Sequence, residues 1–224
     1  WWMFYEGFIR KAAGMGRGTL DHDPDPYEKA NGFCDVLVVG AGVAGLESAL
    51  KAAEAGAKVL LVEQDFELGG DLLSDSDPDR LDWLRGSRRQ VETHPRITVM
   101  TRTTAFGFYD HNVMGLVEKV TDHLPGAAHY MPRQRMWTIR ARRIVMATGA
   151  IERPFVFGNN DLPGIMLASS VRSYVNRYAV NPGGEAVIFT NNDSPYFMLA
   201  DLLRAGIKVA AIVDSRDKPC AEIQ

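Results

Sequence analysis

The stretch Asp35-Val-Leu-Val-Val-Gly40-Ala-Gly42-Val-Ala-Gly45-Leu-Glu-Ser-Ala-Leu50 decides the fold. It opens on a continuous apolar run of the kind buried on both faces of a parallel sheet. A helix is expected from about residue 43 to 55, because Leu46, Ala49, Leu50 and Ala53 share one face at helical spacing. Gly56 ends it, and Lys58-Val-Leu-Leu-Val-Glu63 forms a second buried strand. Gly40, Gly42 and Gly45 match G-x-G-x-x-G in the strand-to-helix context that gives the motif meaning. Gly40 permits a tight turn, Gly42 lets backbone approach a pyrophosphate, and Gly45 lets helix and strand pack closely. Ala41, Val43 and Ala44 complete the loop, and the helix N-terminus offers N–H groups and partial positive charge to phosphates.

Glu63 ends the second strand, 23 residues beyond the first glycine. A carboxylate there accepts from ribose hydroxyls and repels a 2′-phosphate, which favours NAD or FAD over NADP. Gln64 beside it joins the candidate set. Leu68-Gly69-Gly70-Asp71 can pass close to the diphosphate or ribose, or form a plain surface turn. Ala147-Thr148-Gly149-Ala150, after a buried strand, resembles the Ala-Thr-Gly motif of flavoprotein-type folds and places Thr148 and Gly149 near the cofactor.

The rest of the chain extends this βαβ start. A helix is expected over about 78–93, with proline and aspartates in its first turn, then a short strand at 97–100. Antiparallel strands follow at roughly 103–109, 113–120 and 136–141, and Arg143-Ile-Val-Met-Ala147 returns to a buried strand. A second βαβ half is expected from 186–189, 196–204 and 208–213. Its turn, Thr190-Asn-Asn-Asp-Ser194, holds no glycine, so side chains obstruct close pyrophosphate approach, although Asp214 stands where a ribose-binding acid would. The expected fold is therefore α/β, with two dinucleotide-binding domains of flavoprotein type: a Rossmann-type parallel sheet with a β-meander insertion, and a truncated second domain. Residues 1–33 read as an aromatic extension and proline-rich linker, 34–155 as the first domain, and 156–224 as the start of a second, degenerate one.

The chain has 224 residues, is 46% hydrophobic and 24% charged, and carries a net charge of −3, an ordinary globular composition. No basic run points to nucleic acid, and no stretch of roughly 18 apolar residues points to a membrane span. Two cysteines, Cys34 and Cys220, cannot form a Cys-x-x-Cys pair or a zinc cluster, so a disulfide reductase is excluded and a reducing, cytoplasmic setting is expected. The five histidines, 22, 94, 111, 123 and 129, show no metal-ligand spacing. Arg133, Arg135, Arg140, Arg142 and Arg143 form a basic patch near Trp137, read as a solvated strand face rather than a grip on an anion. No catalytic residue is expected from spacing. The opening Trp1-Trp2-Met3-Phe4-Tyr5 and the close at Gln224 read as the ends of an internal piece of a longer polypeptide, the aromatic segment packing on a neighbour.

Several segments are far more specific than the glycine loop. Cys34-Asp-Val-Leu-Val-Val-Gly-Ala-Gly42, Arg102-Thr-Thr-Ala-Phe-Gly-Phe-Tyr-Asp-His-Asn112 and Ala147-Thr-Gly-Ala-Ile-Glu-Arg-Pro154 are three of them. Asn159-Asn-Asp-Leu-Pro-Gly164, Leu167-Ala-Ser-Ser-Val-Arg172, Phe189-Thr-Asn-Asn-Asp-Ser194 and the opening Trp2-Met-Phe-Tyr-Glu-Gly-Phe-Ile-Arg10 complete the set. Together they resemble the α subunits of heterotetrameric sarcosine oxidases over nearly the whole chain. The resemblance implies an enzyme that demethylates sarcosine oxidatively to glycine, forms hydrogen peroxide and passes the one-carbon unit to tetrahydrofolate. It also implies FAD and FMN in the full complex, β, γ and δ partner subunits, and sarcosine and folate sites outside this chain. NAD is the nucleotide such α subunits carry, so the resemblance gives Gly40, Gly42, Gly45 and Glu63 to NAD, with Gly70, Thr148 and Gly149 lining the same site. Ala105 stands where related folds let backbone meet adenine. Val43 replaces a proline often found there. An FAD-first amine or amino-acid dehydrogenase subunit and a non-catalytic assembly scaffold stay open as alternatives.

Overall fold

The computed structural model describes residues 1–14, 21–126, 128 and 130–217. His129 and Cys220 lie outside the described residues. The first helix, α1 (Trp2–Ala12), is an element that sequence reading left unassigned. It carries an Arg10–Glu6 ion pair one turn apart and leaves Trp2, Phe4 and Phe8 largely exposed.

A six-stranded sheet follows, built from β1 (Tyr27–Val39), β2 (Val59–Val62), β3 (Ile97–Met100), β4 (Thr103–Tyr109), β5 (Val113–Lys119) and β6 (Gln134–Met146). Its order is β3-β2-β1-β6-β5-β4. The pairs β1–β2, β2–β3 and β1–β6 are parallel, while β5 pairs antiparallel with both β4 and β6. This is the half-Rossmann arrangement with an antiparallel meander attached. Successive residues of a strand point to opposite faces, and both faces are covered here. Val38, Val59 and Leu61 pack under α2 (Val43–Glu54) and α3 (Pro78–Thr93) with Leu46, Leu50, Leu84 and Val91. Leu37, Val39, Leu60 and Val62 turn the other way, onto Met114, Leu116 and Ile139 of the meander. That double burial is why these strands read as unbroken apolar runs.

Two strands are longer than their apolar stretches. β1 begins at Tyr27, where its mostly exposed first half pairs with β6 from Tyr27↔Gln134 onward. An ion pair from Arg135 to Glu28 crosses those strands at 2.7 Å. β6 runs unbroken through Arg142 and Arg143, which interrupt its apolar pattern but leave its ladder to β1 intact. The boundaries of α3 match expectation because its ends are written locally. Asp77 caps it by accepting from the Asp79 and Arg80 N–H groups at 2.9 and 3.3 Å, and Pro78 occupies the first turn.

The turn between β1 and α2 is held by close approach. A Cβ on Gly45 would overlap the Gly40 carbonyl oxygen, and one on Gly40, which sits at φ +95°, would overlap the Ala147 carbonyl. Glycine at these two positions is thus demanded by the protein's own packing.

After β6 the chain forms α4 (Ala168–Arg172), a π-helical turn (Ser173–Arg177), and the unit β7 (Glu185–Thr190), α5 (Ser194–Arg204), β8 (Lys208–Asp214). β7 and β8 form a parallel two-stranded sheet, and Ile188, Met198, Leu202 and Ile207 make a small core of their own. A polar seam joins this part to the six-stranded sheet. Asp201, only 2% exposed, accepts from Ser76 Oγ at 2.6 Å and from Arg172 Nε at 3.0 Å. Asn176 donates to the Ser74 carbonyl at 2.9 Å, and the Ser74 and Ser173 hydroxyls meet at 2.8 Å. Arg177 grips Asp65 with two bonds, reaches Glu67, and lies 4.8 Å from the Phe66 ring centre. Burial would raise the Asp201 pKa, but the bonds from Ser76, Asn176 and Arg172 outweigh it and hold the carboxyl below its ordinary value.

Two outcomes follow. Gly45→Ala should cost about 3 kcal/mol through overpacking, lowering the unfolding midpoint by about 6–12 °C in a thermal melt. For the seam, a carboxylate whose folded-state pKa is depressed contributes its stability fully above the unfolded value, 3.8, and loses it as pH falls through the folded value. Asp65 and Asp75, also held below 3.8 against the raising effect of burial, act in the same direction. Limited proteolysis of the 150–165 connection should therefore accelerate only below about pH 4 in the native protein. In Asp201→Asn, which leaves Arg172 only the longer 3.8 Å pairing with Asp75 at a cost of about 1–3 kcal/mol, cleavage should already be faster than in the native protein at neutral pH.

Candidate nucleotide site

The glycine loop is fixed from three sides. Gly40 N–H donates to the Val62 carbonyl at 2.8 Å, tying the loop to β2. Ala41 N–H donates to Glu63 Oε2 at 2.7 Å, and the Ala41 carbonyl accepts from Gly69 N–H at 2.8 Å. Both peptide groups of this fully buried alanine are thereby satisfied. Gly42 is the N-cap of α2 and has no side chain to offer. The first N–H groups of a helix have no intrahelical partner and carry partial positive charge, and at α2 they lie uncapped by any side chain beside exposed Val43 and Ala44, a candidate anion site.

Gly42 differs from its neighbours in one decisive respect. Its φ of −71° is ordinary for any residue, and a Cβ placed on it would meet nothing nearer than the Gly70 α-carbon at 4.0 Å. The fold itself has no need of glycine at 42. What a side chain there would fill is the space directly before the helix N-terminus. Gly70 sits against it, at φ +55°, and a Cβ on Gly70 would come within 2.9 Å of the Gly42 α-carbon. The Leu68–Asp71 loop is thus packed on the glycine loop rather than standing free as a surface turn.

Glu63 is buried at the end of β2, with Oε1 accepting from Asp65 N–H at 2.9 Å while Oε2 holds Ala41. Each oxygen keeps a second lone pair for a sugar hydroxyl. Gln64 is exposed beside it. The start of β4 is bonded to the same turn, Thr103 N–H to the Glu63 carbonyl and Arg102 N–H to the Asp65 carbonyl, both at 2.8 Å. Ala105 lies two residues further along β4, half-buried against the meander-side core. Ala147 N–H donates to the Val39 carbonyl at 2.8 Å, which brings exposed Thr148 and Gly149 alongside Gly40, Gly149 at φ +70°. The structure therefore gathers residues 40–45, Glu63, Gly70, Thr148 and Gly149 at one end of the parallel strands, the edge where open α/β sheets bind ligands. Sequence reading missed the supports: Gly69 on Ala41, and Arg177 on Asp65, the latter 112 residues away and carrying no local pattern.

The second βαβ half is arranged differently. Asn192 Oδ1 accepts from both the N–H and the hydroxyl of Ser194, at 2.9 and 2.6 Å, so the loop's own side chain occupies the start of α5. Arg216 bridges Asp214 at 2.7 Å and Asp193 at 2.6 Å, and the Tyr196 hydroxyl donates to Asp214 at 3.0 Å. The Arg216 guanidinium holds the Asp214 carboxyl well below its usual range. The acid that would meet a ribose is already engaged.

Three arginines of the basic patch are likewise matched by acids. Arg133 pairs with Asp122 and Asp25, Arg135 with Glu28 and Glu118, and Arg142 with Asp35. Among the described residues no group of three or more His, Cys, Asp or Glu is set to hold a metal, and no helix is long and apolar enough to cross a membrane.

Comparison with known proteins agrees with this geometry. Residues 34–184 match the family described as pyridine nucleotide-disulphide oxidoreductase. The chain is 47% identical over 220 residues to the sarcosine oxidase subunit alpha of Rhizobium meliloti (strain 1021), covering 96% of this chain and 22% of that protein. It is 44% identical over 210 residues to the same subunit of Corynebacterium sp. (strain P-1), covering 90% and 22%. It thus spans about a fifth of the length of these curated relatives. Among solved structures, L-proline dehydrogenase from P. horikoshii superposes with a TM-score of 0.65 at 25% identity, over 88% of this chain and 38% of that one. The strand-to-helix glycine loop, the parallel sheet with its meander and the match across two thirds of the sequence make this chain a member of the pyridine nucleotide-disulphide oxidoreductase family.

Proposed function

We propose that the chain is the NAD-binding part of a sarcosine oxidase α subunit, with the ADP half of NAD on the first glycine loop. The observation that carries the reading is Gly42, a glycine that the packing does not require, at a helix N-terminus that the protein's own side chains leave uncapped. The diphosphate lies against the first N–H groups of α2. Glu63 accepts from the adenosine ribose hydroxyls while holding Ala41, and its charge repels the 2′-phosphate of NADP. Gly70, Thr148 and Gly149 line the same edge, and Ala105 and Gln64 flank the adenosine side. Bound NAD supplies hydride exchange at its nicotinamide ring, and the chain's residues supply binding and orientation.

The whole enzyme, by its likeness to the α subunits, is an oxidoreductase acting on the CH–NH bond of sarcosine. It yields glycine and hydrogen peroxide and delivers the one-carbon unit to tetrahydrofolate in a cytoplasmic complex with β, γ and δ subunits that also carries FAD and FMN. The family's disulphide chemistry has no seat at Cys34. Burial pushes that thiol up to about 11, and it lies in the core on the meander side of the sheet. A second reading places FAD on the first loop, in an amine or amino-acid dehydrogenase subunit. The likeness to L-proline dehydrogenase favours it, and NAD and FAD share the ADP half that these residues grip.

The experiment is to purify the native complex, denature it and identify its nucleotides by chromatography with mass spectrometry, beside a Gly42→Asp variant. The variant should fold, because a Cβ at 42 has room, but its carboxylate repels the diphosphate. Selective loss of NAD is the expected result. Loss of FAD with NAD retained selects the second reading, and retention of every nucleotide in the folded variant overturns both.

A further inference from the structure

Arg177 stands 112 residues along the chain from Asp65, the residue that it grips hardest. Its guanidinium donates through Nη1 to Asp65 Oδ2 at 2.7 Å and through Nη2 to Asp65 Oδ1 at 3.1 Å, a two-pronged contact of fixed geometry. Nη2 also reaches Glu67 at 3.3 Å, and the guanidinium lies 4.8 Å from the Phe66 ring centre. The Arg177 side chain is only 14% exposed, and its buried Nε takes no partner among the described residues. A buried donor left unpaired is costly, so the surrounding contacts must enforce this placement.

The local backbone is shaped to deliver it. Arg177 closes the π-helical turn Ser173–Arg177, a rare geometry that recurs at functional sites. Two residues on, Ala179 sits at φ +53°, a left-handed conformation unfavourable for a residue with a β-carbon. Fastening the two halves of the chain does not by itself call for Arg177. Asp201, Arg172, Ser76, Asn176 and Ser74 already join them.

What Arg177 reaches, and those residues do not, is the support of Glu63. The Asp65 N–H donates to Glu63 Oε1 at 2.9 Å, while Oε2 holds the Ala41 N–H at 2.7 Å. The Asp65 carbonyl is tied separately to the Arg102 N–H at 2.8 Å. With its side chain on Arg177 and its carbonyl on Arg102, Asp65 is fixed, and so is the direction of the N–H that it presents to Glu63. We propose that Arg177 is a positioning residue for nucleotide recognition, which acts through Asp65 to hold the Glu63 carboxylate in the orientation that meets the hydroxyls of a ribose. The inference rests on the reading that Glu63 receives the adenosine ribose. Without Arg177 the 64–67 turn keeps one anchor fewer, and Glu63 Oε1 loses a fixed donor. The α2 N-terminus, where the diphosphate is proposed to lie, keeps its own ties to Val62 and Gly69.

The test compares ADP with 2′,3′-dideoxy-ADP, which has the diphosphate but neither ribose hydroxyl, on the purified native complex freed of bound nucleotide. The native protein should prefer ADP by about tenfold, the worth of a hydrogen bond to a charged group. In Arg177→Leu, and in Asp65→Ala, which removes the same grip from its other end, that preference should shrink to about twofold. Loss of general stability or a change of local charge weakens both ligands alike and cancels in the ratio. Affinity for 2′,3′-dideoxy-ADP, held through its diphosphate, shows that each variant is folded at the loop. A preference of native size in folded Arg177→Leu and Asp65→Ala overturns the positioning role and leaves the ribose reading standing. Equal binding of the two ligands by the native protein, or no binding of ADP at all, overturns the ribose reading at Glu63 and the positioning role with it.

Discussion

The hydrogen bond from Ala41 N–H to the Glu63 carboxylate sets the geometry on which the rest depends. It ties the turn after β1 to the end of β2, and the Gly69 N–H on the Ala41 carbonyl closes the same peptide unit from the other side. With Ala41 held on both faces, Gly42 cannot drift, and the first turn of α2 is presented to the same point in space. The carboxylate that fixes the loop is also the one we propose for a ribose. A carboxylate oxygen can accept more than one hydrogen bond, so support and recognition need not compete.

The two βαβ halves use one topology to opposite ends. In the first, Gly42 leaves the helix N-terminus clear, and the acid at the end of the next strand keeps accepting capacity. In the second, Asn192 Oδ1 accepts from the Ser194 N–H at the start of α5, and Arg216 occupies Asp214. The second half instead contributes the seam, where Asp201, Arg172 and Arg177 bind the acidic turns 65–67 and 75–77 of the first. Arg177 grips Asp65, Asp65 N–H holds Glu63, and Glu63 holds Ala41, so the seam is connected bond by bond to the glycine loop.

What the sequence disclosed follows from how local each determinant is. The glycine loop, α2 and the bounds of α3 were legible because turns, caps and apolar faces are written in contiguous residues. The first half of β1 was not, because Tyr27–Phe33 is largely exposed and held by its partner strand. β6 read as two strands because Arg142 and Arg143 break its pattern while the backbone ladder continues. The candidate site divides in the same way. Gly40, Gly42, Gly45 and Glu63 announce themselves by spacing, whereas Arg177 reaches Asp65 beside Glu63 only through a chain reversal that no local pattern encodes. The glycines also look equivalent in sequence and separate only in space. Gly40 and Gly45 serve packing, and at Gly42 alone of the three a Cβ would have room.

The most direct test is an experimental structure of the native protein with its own nucleotide bound. The account predicts the diphosphate against the Val43 and Ala44 N–H groups, a ribose on Glu63, NAD as the molecule, and no nucleotide at Asp214 and Arg216. A bare α2 N-terminus, or a dinucleotide seated on the second half instead, would contradict it.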